Sequence, residues 1–160
     1  IRMAFKSVDE VEQFRFDDCQ ISEFTVTDQK LELEVEALIV RTNNSQNTNY
    51  TESYAGTTKI SLLNGTIQKI IKDGYRYYDA NDVLLSEVPD EELSEEEIKQ
   101  FPGRCRDAYL YDMQKTAEGY ILGIEFEDPD DHGVGDSYQV VAACDSVICT
   151  WERYMNRVQN

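Results

Sequence analysis

Residues 31–39 alternate in strict period two: Leu31, Leu33, Val35, Ala37 and Ile39 fall on one face, and Glu32, Glu34 and Glu36 on the other. Successive side chains of a strand point to opposite sides, so this pattern predicts a strand with one buried face. FDDCQISEFTV, just before it, predicts a first strand, and Thr27-Asp28-Gln29-Lys30 is short enough to join the two as a hairpin. Residues 41–53, RTNNSQNTNYTES, have no period and read as a loop. Alternation resumes at Thr58–Leu62. Asn64-Gly65 then signals a tight hairpin, because both turn positions favour positive φ, with a return strand carrying Ile67, Ile70 and Ile71. Asp73-Gly74 turns the chain again into YRYYDANDVLL. Three more strands are predicted over 107–113, 120–126 and 138–150, the last long enough to contain a bend or a bulge. Residues 151–160 fit a short helix or a frayed tail.

Helical signals occur twice. Ser7-Val8-Asp9-Glu10 is a capping-box pattern, and Val8, Val11 and Phe14 would form the apolar side of a short N-terminal helix. VPDEELSEEEIKQF, residues 88–101, predicts the one long helix, with Pro89 in a first turn or a start at Ser94, whose capping partner is Glu97. Leu93, Ile98 and Phe101 supply a narrow buried stripe, and Pro102-Gly103 ends it. The order of elements predicts an α+β, mostly β single domain over 1–160. Its twisted antiparallel sheet would curl into a half-barrel or sandwich, with one short N-terminal helix and one inserted acidic helix. Strand and helix do not alternate regularly, which argues against a parallel doubly wound sheet.

Charge changes the picture more than composition does. The chain of 160 residues has 32 acidic and 15 basic residues, a net charge of −17. Residues 81–160 hold most of that excess, in the acidic helix, in the segment 125–136 and at isolated strand positions. Such a surface repels nucleic acid and anionic membranes and draws in cationic partners. No apolar run is long enough to cross a bilayer, and residues 1–6 lack the apolar core of a signal peptide. A cytoplasmic protein is expected, with Cys19, Cys105, Cys144 and Cys149 as mostly buried thiols.

The chemistry of catalysis is thinly represented. His132 is the single histidine, no serine lies in a nucleophile elbow, and no glycine loop cradles phosphate. A carboxylate pair could hydrolyse a glycoside, but with 32 acids no pair stands out. Asp128, Asp130, Gly133 and Asp136 match positions 1, 3, 6 and 9 of a calcium loop. His132 and Gln139 stand where an oxygen ligand and a bidentate glutamate are required. The reading therefore implies no cofactor and no metal.

Tyrosines lie beside the acids: Tyr75, Tyr77 and Tyr78 before Asp79, and Tyr109 and Tyr111 before Asp112. Aromatic faces and carboxylates together make a receptor for Arg and Lys. The expected contact surface is Asp90, Glu91, Glu95 and Glu96 in the helix and Asp128, Asp130 and Asp131 in the loop, with Tyr109 and Tyr111 as anchors. The alternative is a small-molecule-binding half-barrel whose tyrosines line a cavity.

The short opening helix followed by Phe14-Arg15-Phe16-Asp17-Asp18-Cys19-Gln20-Ile21, together with the overall acidity, resembles the cytosolic immunity proteins of bacterial toxin systems, including the contact-dependent inhibition type. The resemblance covers roughly the first forty residues. It implies a non-enzymatic inhibitor that binds one basic toxin, often a nuclease, and covers its active site or substrate groove.

Overall fold

The structure, a computed structural model, describes residues 4–128, 130 and 134–159. In chain order the strands are β1 (Phe5–Val8), β2 (Phe14–Arg15), β3 (Gln20–Val26), β4 (Lys30–Glu36), β5 (Ile39–Val40), β6 (Ser53–Ala55), β7 (Thr58–Leu63), β8 (Thr66–Lys72), β9 (Tyr75–Tyr78), β10 (Leu84–Val88) and β11 (Glu91–Glu92). The helix α1 (Glu95–Arg104) follows, then β12 (Tyr109–Lys115), β13 (Gly119–Glu127), β14 (Val134–Ala143), β15 (Ser146–Trp151) and β16 (Tyr154–Arg157). The protein is thus mostly β, with antiparallel sheets and one α-helix among the described residues.

Ten strands form one sheet in the order β1-β15-β7-β4-β3-β12-β13-β14-β8-β11. Its edges, β1 and β11, do not meet, so the sheet is not a closed barrel. The β3 and β12 strands meet only near one end, with Tyr109 opposite Gln20 and backbone bonds from Ile21 N to Ala108 O and from Leu110 N to Cys19 O, and this short junction divides the sheet into two wings. Two long strands bind the wings together. Residues 58–63 pair with 146–151 in the first wing, and residues 66–72 continue against 138–143 in the second. Both strands bend at the same level, where Asn64 Nδ2 donates to Asp145 Oδ2 at 2.7 Å and Asp145 N to Leu63 O at 2.9 Å. Strands that switch sheets at such corners let two wings enclose one core. Leu31, Leu33, Val35, Ile60, Ile70, Leu110, Leu122, Val140 and Val147 belong to a single buried cluster. A smaller sheet, β16-β6-β5-β2, closes part of that core, with Trp151 packed against Phe5, Phe14 and Tyr154.

Several expectations change. Asn64-Gly65 makes a turn, with Asn64 at φ 53°, but no hairpin: β7 and β8 belong to different wings and do not pair. Gly65 is needed for close approach, since a Cβ there would lie 2.7 Å from Leu62 O and 2.9 Å from Leu31 Cγ. The predicted N-terminal helix is replaced by β1 and a single 3₁₀ turn at Val11–Gln13. Its supposed cap is a tertiary device. Glu10 accepts from the Ser7 hydroxyl at 2.8 Å and from Ser45 N at 2.9 Å, tying the loop after β5 to the start of the chain. That loop is well bonded: Asn44 is buried, and Asn47 Nδ2 donates to the carbonyls of Val40, Arg41 and Thr51. The alternation of β4 ends at Glu36, because Ala37 takes φ 61° and resets the phase before buried Leu38 and Ile39. The long final strand splits into β14 and β15, and the tail adds β16.

Candidate protein-docking surface

One end of the second wing carries the features that bear on function. There the chain leaves β8 at Lys72, makes the β9–β10 hairpin, and returns to pair β11 with β8, Glu91 opposite Lys72. The β13–β14 connection lies at the same end, since Glu127 pairs with Val134 and Asp73 N donates to Ser137 O at 2.8 Å.

The hairpin forms for local reasons. Tyr75–Tyr78 and Leu84–Val88 favour extended backbone, and they pair antiparallel, Tyr75 opposite Val88 and Tyr78 opposite Leu84. Asp79 builds the tip: its Oδ1 accepts from Asn81 N at 2.8 Å and Val83 N at 3.0 Å, while Asp82 takes φ 61°. At the stem the two strands nearly touch. A Cβ on Gly74 would lie 2.0 Å from Val88 O, and Gly74 N donates to Asp90 Oδ1 at 2.7 Å. The hairpin is a separate two-stranded sheet, and neither of its edges pairs with the body. Tyr75, Tyr77, Tyr78, Val83, Leu84, Leu85 and Val88 are each 42–66% exposed. Tyr75 and Tyr77 meet edge to face at 5.0 Å on one side. On the other, Arg76 Nε pairs with Glu87 Oε1 at 2.9 Å, and that bond raises the guanidinium pKa further.

Carboxylates adjoin the stem. Asp90 caps Gly74, and Glu91 and Glu92 lie exposed on β11 rather than in the helix, which starts only after Ser94. Pairing with β8 holds residues 91–92 extended, so the helix loses its expected first turn at Pro89. From Ser94 onward the capping box forms as the sequence indicates. Bonds from the Ser94 backbone and side chain hold Glu97 below the usual carboxylate range. Glu95 and Glu96 remain exposed, Glu96 accepting from Gln100 Nε2 at 3.3 Å. Within this group Lys72 is a base, opposite Glu91 and 3.6 Å from Asp136. The inner face of α1 is anchored by buried Phe101 against Phe126 and Tyr138, with the Arg104 guanidinium 5.4–5.9 Å from all three ring centres. The helix runs through Pro102 to Arg104, one turn's fraction beyond the expected stop.

Asp90, Glu91, Glu95 and Glu96 are therefore brought together. Asp128 and Asp130 lie on the neighbouring loop, where Asp128 Oδ1 accepts from Asp130 N at 2.9 Å. Asp131 and His132 lie outside the described residues. Tyr109 is half-buried, opposite Glu125. Tyr111 is half-buried too, and its ring covers Gly123: a Cβ there would sit 2.5 Å from Tyr111 Cζ. Its hydroxyl lies 3.1 Å from Ser137 Oγ and accepts from Gln139 Nε2 at 2.6 Å; Gln139 also donates to Asp73 Oδ2 at 2.9 Å. This chain of bonds links the sheet surface to the hairpin stem. The tyrosines most exposed at this end are Tyr75, Tyr77 and Tyr78. The signal for them was the doublet Tyr77-Tyr78 with Leu84-Leu85, which breaks period two and puts apolar groups on both faces.

Other chemistry finds little support in the geometry. Burial raises the Cys105 and Cys149 thiols to about 12 and Cys19 higher still. Among the described residues no cluster of three or more His, Cys, Asp or Glu has the arrangement of a metal site. A surface concavity of about 740 Å³ lies elsewhere, lined by charged Glu34, Glu36, Lys59 and Arg153 beside Trp151 and Met155. No described helix is long and apolar enough to cross a membrane. No protein-family model matches the chain, and no curated protein or solved structure matches it significantly.

Proposed function

We propose that this chain is a non-enzymatic, cytoplasmic protein-binding module that neutralises a basic protein, of the kind an immunity protein meets in a nuclease-like toxin. The observation that carries the reading is the composition of one end of the molecule, where the exposed apolar and aromatic side chains of the hairpin adjoin exposed carboxylates at its stem, on β11 and in the first turn of α1. Protein interfaces are built this way, with an apolar centre and a polar rim. The sign of the rim sets the partner: it attracts Arg and Lys, accelerates encounter at low salt, and stands in for the phosphates of a nucleic acid substrate.

The test uses a purified basic protein, taken first from any gene that neighbours this chain's own. Titration calorimetry should show a 1:1 complex, and stopped-flow association should slow steeply as salt rises. Glu95→Lys combined with Glu96→Lys should slow association about tenfold at low salt while leaving the fold intact. A complex whose formation ignores both salt and charge reversal would reject the reading.

A further inference from the structure

The β9–β10 hairpin is the part of this surface that pairs with no other described strand of its own chain. Its two strands pair only with each other, and both faces are exposed. A side chain that packs on a sheet needs one covered face, and here neither is covered. The seven large residues together expose on the order of 700 Å², close to the ~800 Å² that each side contributes to a standard interface. We infer that the hairpin is the anchor by which the protein enters a cleft of its cationic partner, with Tyr77 and Leu85 buried in it. This rests on the function proposed above and specifies its mode of binding.

Three features select this occupant. A free-standing finger with exposed apolar side chains on both faces, Tyr75 and Tyr77 on one and Tyr78 and Leu84 beside the Arg76–Glu87 pair on the other, is satisfied by a cleft that covers both, whereas a flat surface would cover only one. The stem carries Asp90, Glu91 and Glu92, so the mouth of that cleft must be basic. A second copy of this chain would bring the same carboxylates against their like, at a net charge of −17 per chain, which opposes self-association. The tip is also preorganised: Asp79 fixes the turn by two backbone bonds and the Gly74–Asp90 contact fixes the stem, so little ordering remains to be done on binding.

The experiment compares full-length variants against the same purified basic protein. Tyr77→Ser with Leu85→Ser leaves the charge unchanged and should weaken the complex at least 100-fold, mainly through faster dissociation. Tyr50→Ser, a 96% exposed tyrosine on the loop between β5 and β6, should change affinity less than twofold. Retained affinity in the hairpin variant, with charge reversal at Glu95 and Glu96 still damaging, would overturn the inference and leave the functional reading standing. Absence of binding by the wild type would overturn both. Two measurements need no partner. Sedimentation should show a monomer, and a dimer abolished by the hairpin substitutions would assign the surface to a second copy. The hairpin variant should keep the wild-type melting temperature within about 3 °C; a large fall would make the hairpin part of the fold and overturn the inference.

Discussion

Gly123→Ala gives the sharpest test of how the sheet surface is held. The added Cβ would sit 2.5–3.0 Å from three ring atoms of Tyr111, so the ring must swing off the sheet. The move exposes roughly 60 Å² of ring surface, about 1.5 kcal/mol at the usual coefficient. It also breaks the contacts of the hydroxyl with Ser137 and Gln139, which are partly replaced by water, at a cost of about 1 kcal/mol. Alanine returns about 0.5–1 kcal/mol because it is less flexible than glycine in the unfolded chain. The net loss is therefore about 2 kcal/mol, read as a lower urea midpoint at unchanged slope. The second half of the cycle fixes the cause. In a Tyr111→Ala background the same substitution no longer meets the ring and should be neutral or stabilise by about 0.5–1 kcal/mol. An equal loss in both backgrounds would show that Gly123 is required by backbone packing, and the account of Tyr111 would be wrong.

Other outcomes follow from single features. Phe101→Ala removes a fully buried ring that packs on Phe126 and Tyr138, and should cost about 3–5 kcal/mol in denaturant unfolding. Glu97 has a lowered folded-state pKa, so its contribution is complete above the unfolded value near 4.5 and is lost as pH falls through the folded one. Glu97→Gln should remove that part of the acid limb, and NMR titration of the wild type should find the Glu97 carboxyl below the normal range. Tyr50 holds φ 60° with its ring in solvent, so Tyr50→Asn should stabilise the fold by about 0.5–1 kcal/mol in thermal unfolding. Of the four thiols, Cys144 is half-buried and the others are buried, so a thiol reagent should modify Cys144 ahead of the other three in the native protein and all four after unfolding, with burial and Asp145 raising the Cys144 pKa and slowing its reaction at neutral pH.

Where one side of a strand faced the core, the sequence announced it. Leu31–Val35 and Glu32–Glu36 divide as the structure divides them, and Ser94 with Glu97 marks the start of the helix because capping is a local transaction between neighbours. Asn64-Gly65 shows the limit of local rules. It fixes a turn, but whether the next strand pairs back is decided by Asp145 and by strands 138–151, which no short window contains. The Ser7–Glu10 pair failed for the same reason, since Glu10 found Ser45 as a partner. The exposure of the acids in residues 90–96 was legible from charge density. The tyrosines were not, because what half-buries Tyr111 and leaves Tyr77 exposed lies far away in the chain: Gly123 to lie on, and Ser137 and Gln139 to bond its hydroxyl.

The bent ladder that joins the wings has a bearing on biogenesis. Residues 58–63 find partners on one side in β4, made earlier, and on the other only in β15, made much later; residues 66–72 wait for β14. A nascent chain halted before Trp151 clears the ribosome therefore carries unzipped strand edges and half an interior, the state most prone to aggregate. Folding must wait until residues 138–151 have emerged, and it should close slowly, as expected where distant segments complete the structure; termination within β14 or β15 should yield insoluble chains instead of weakened ones.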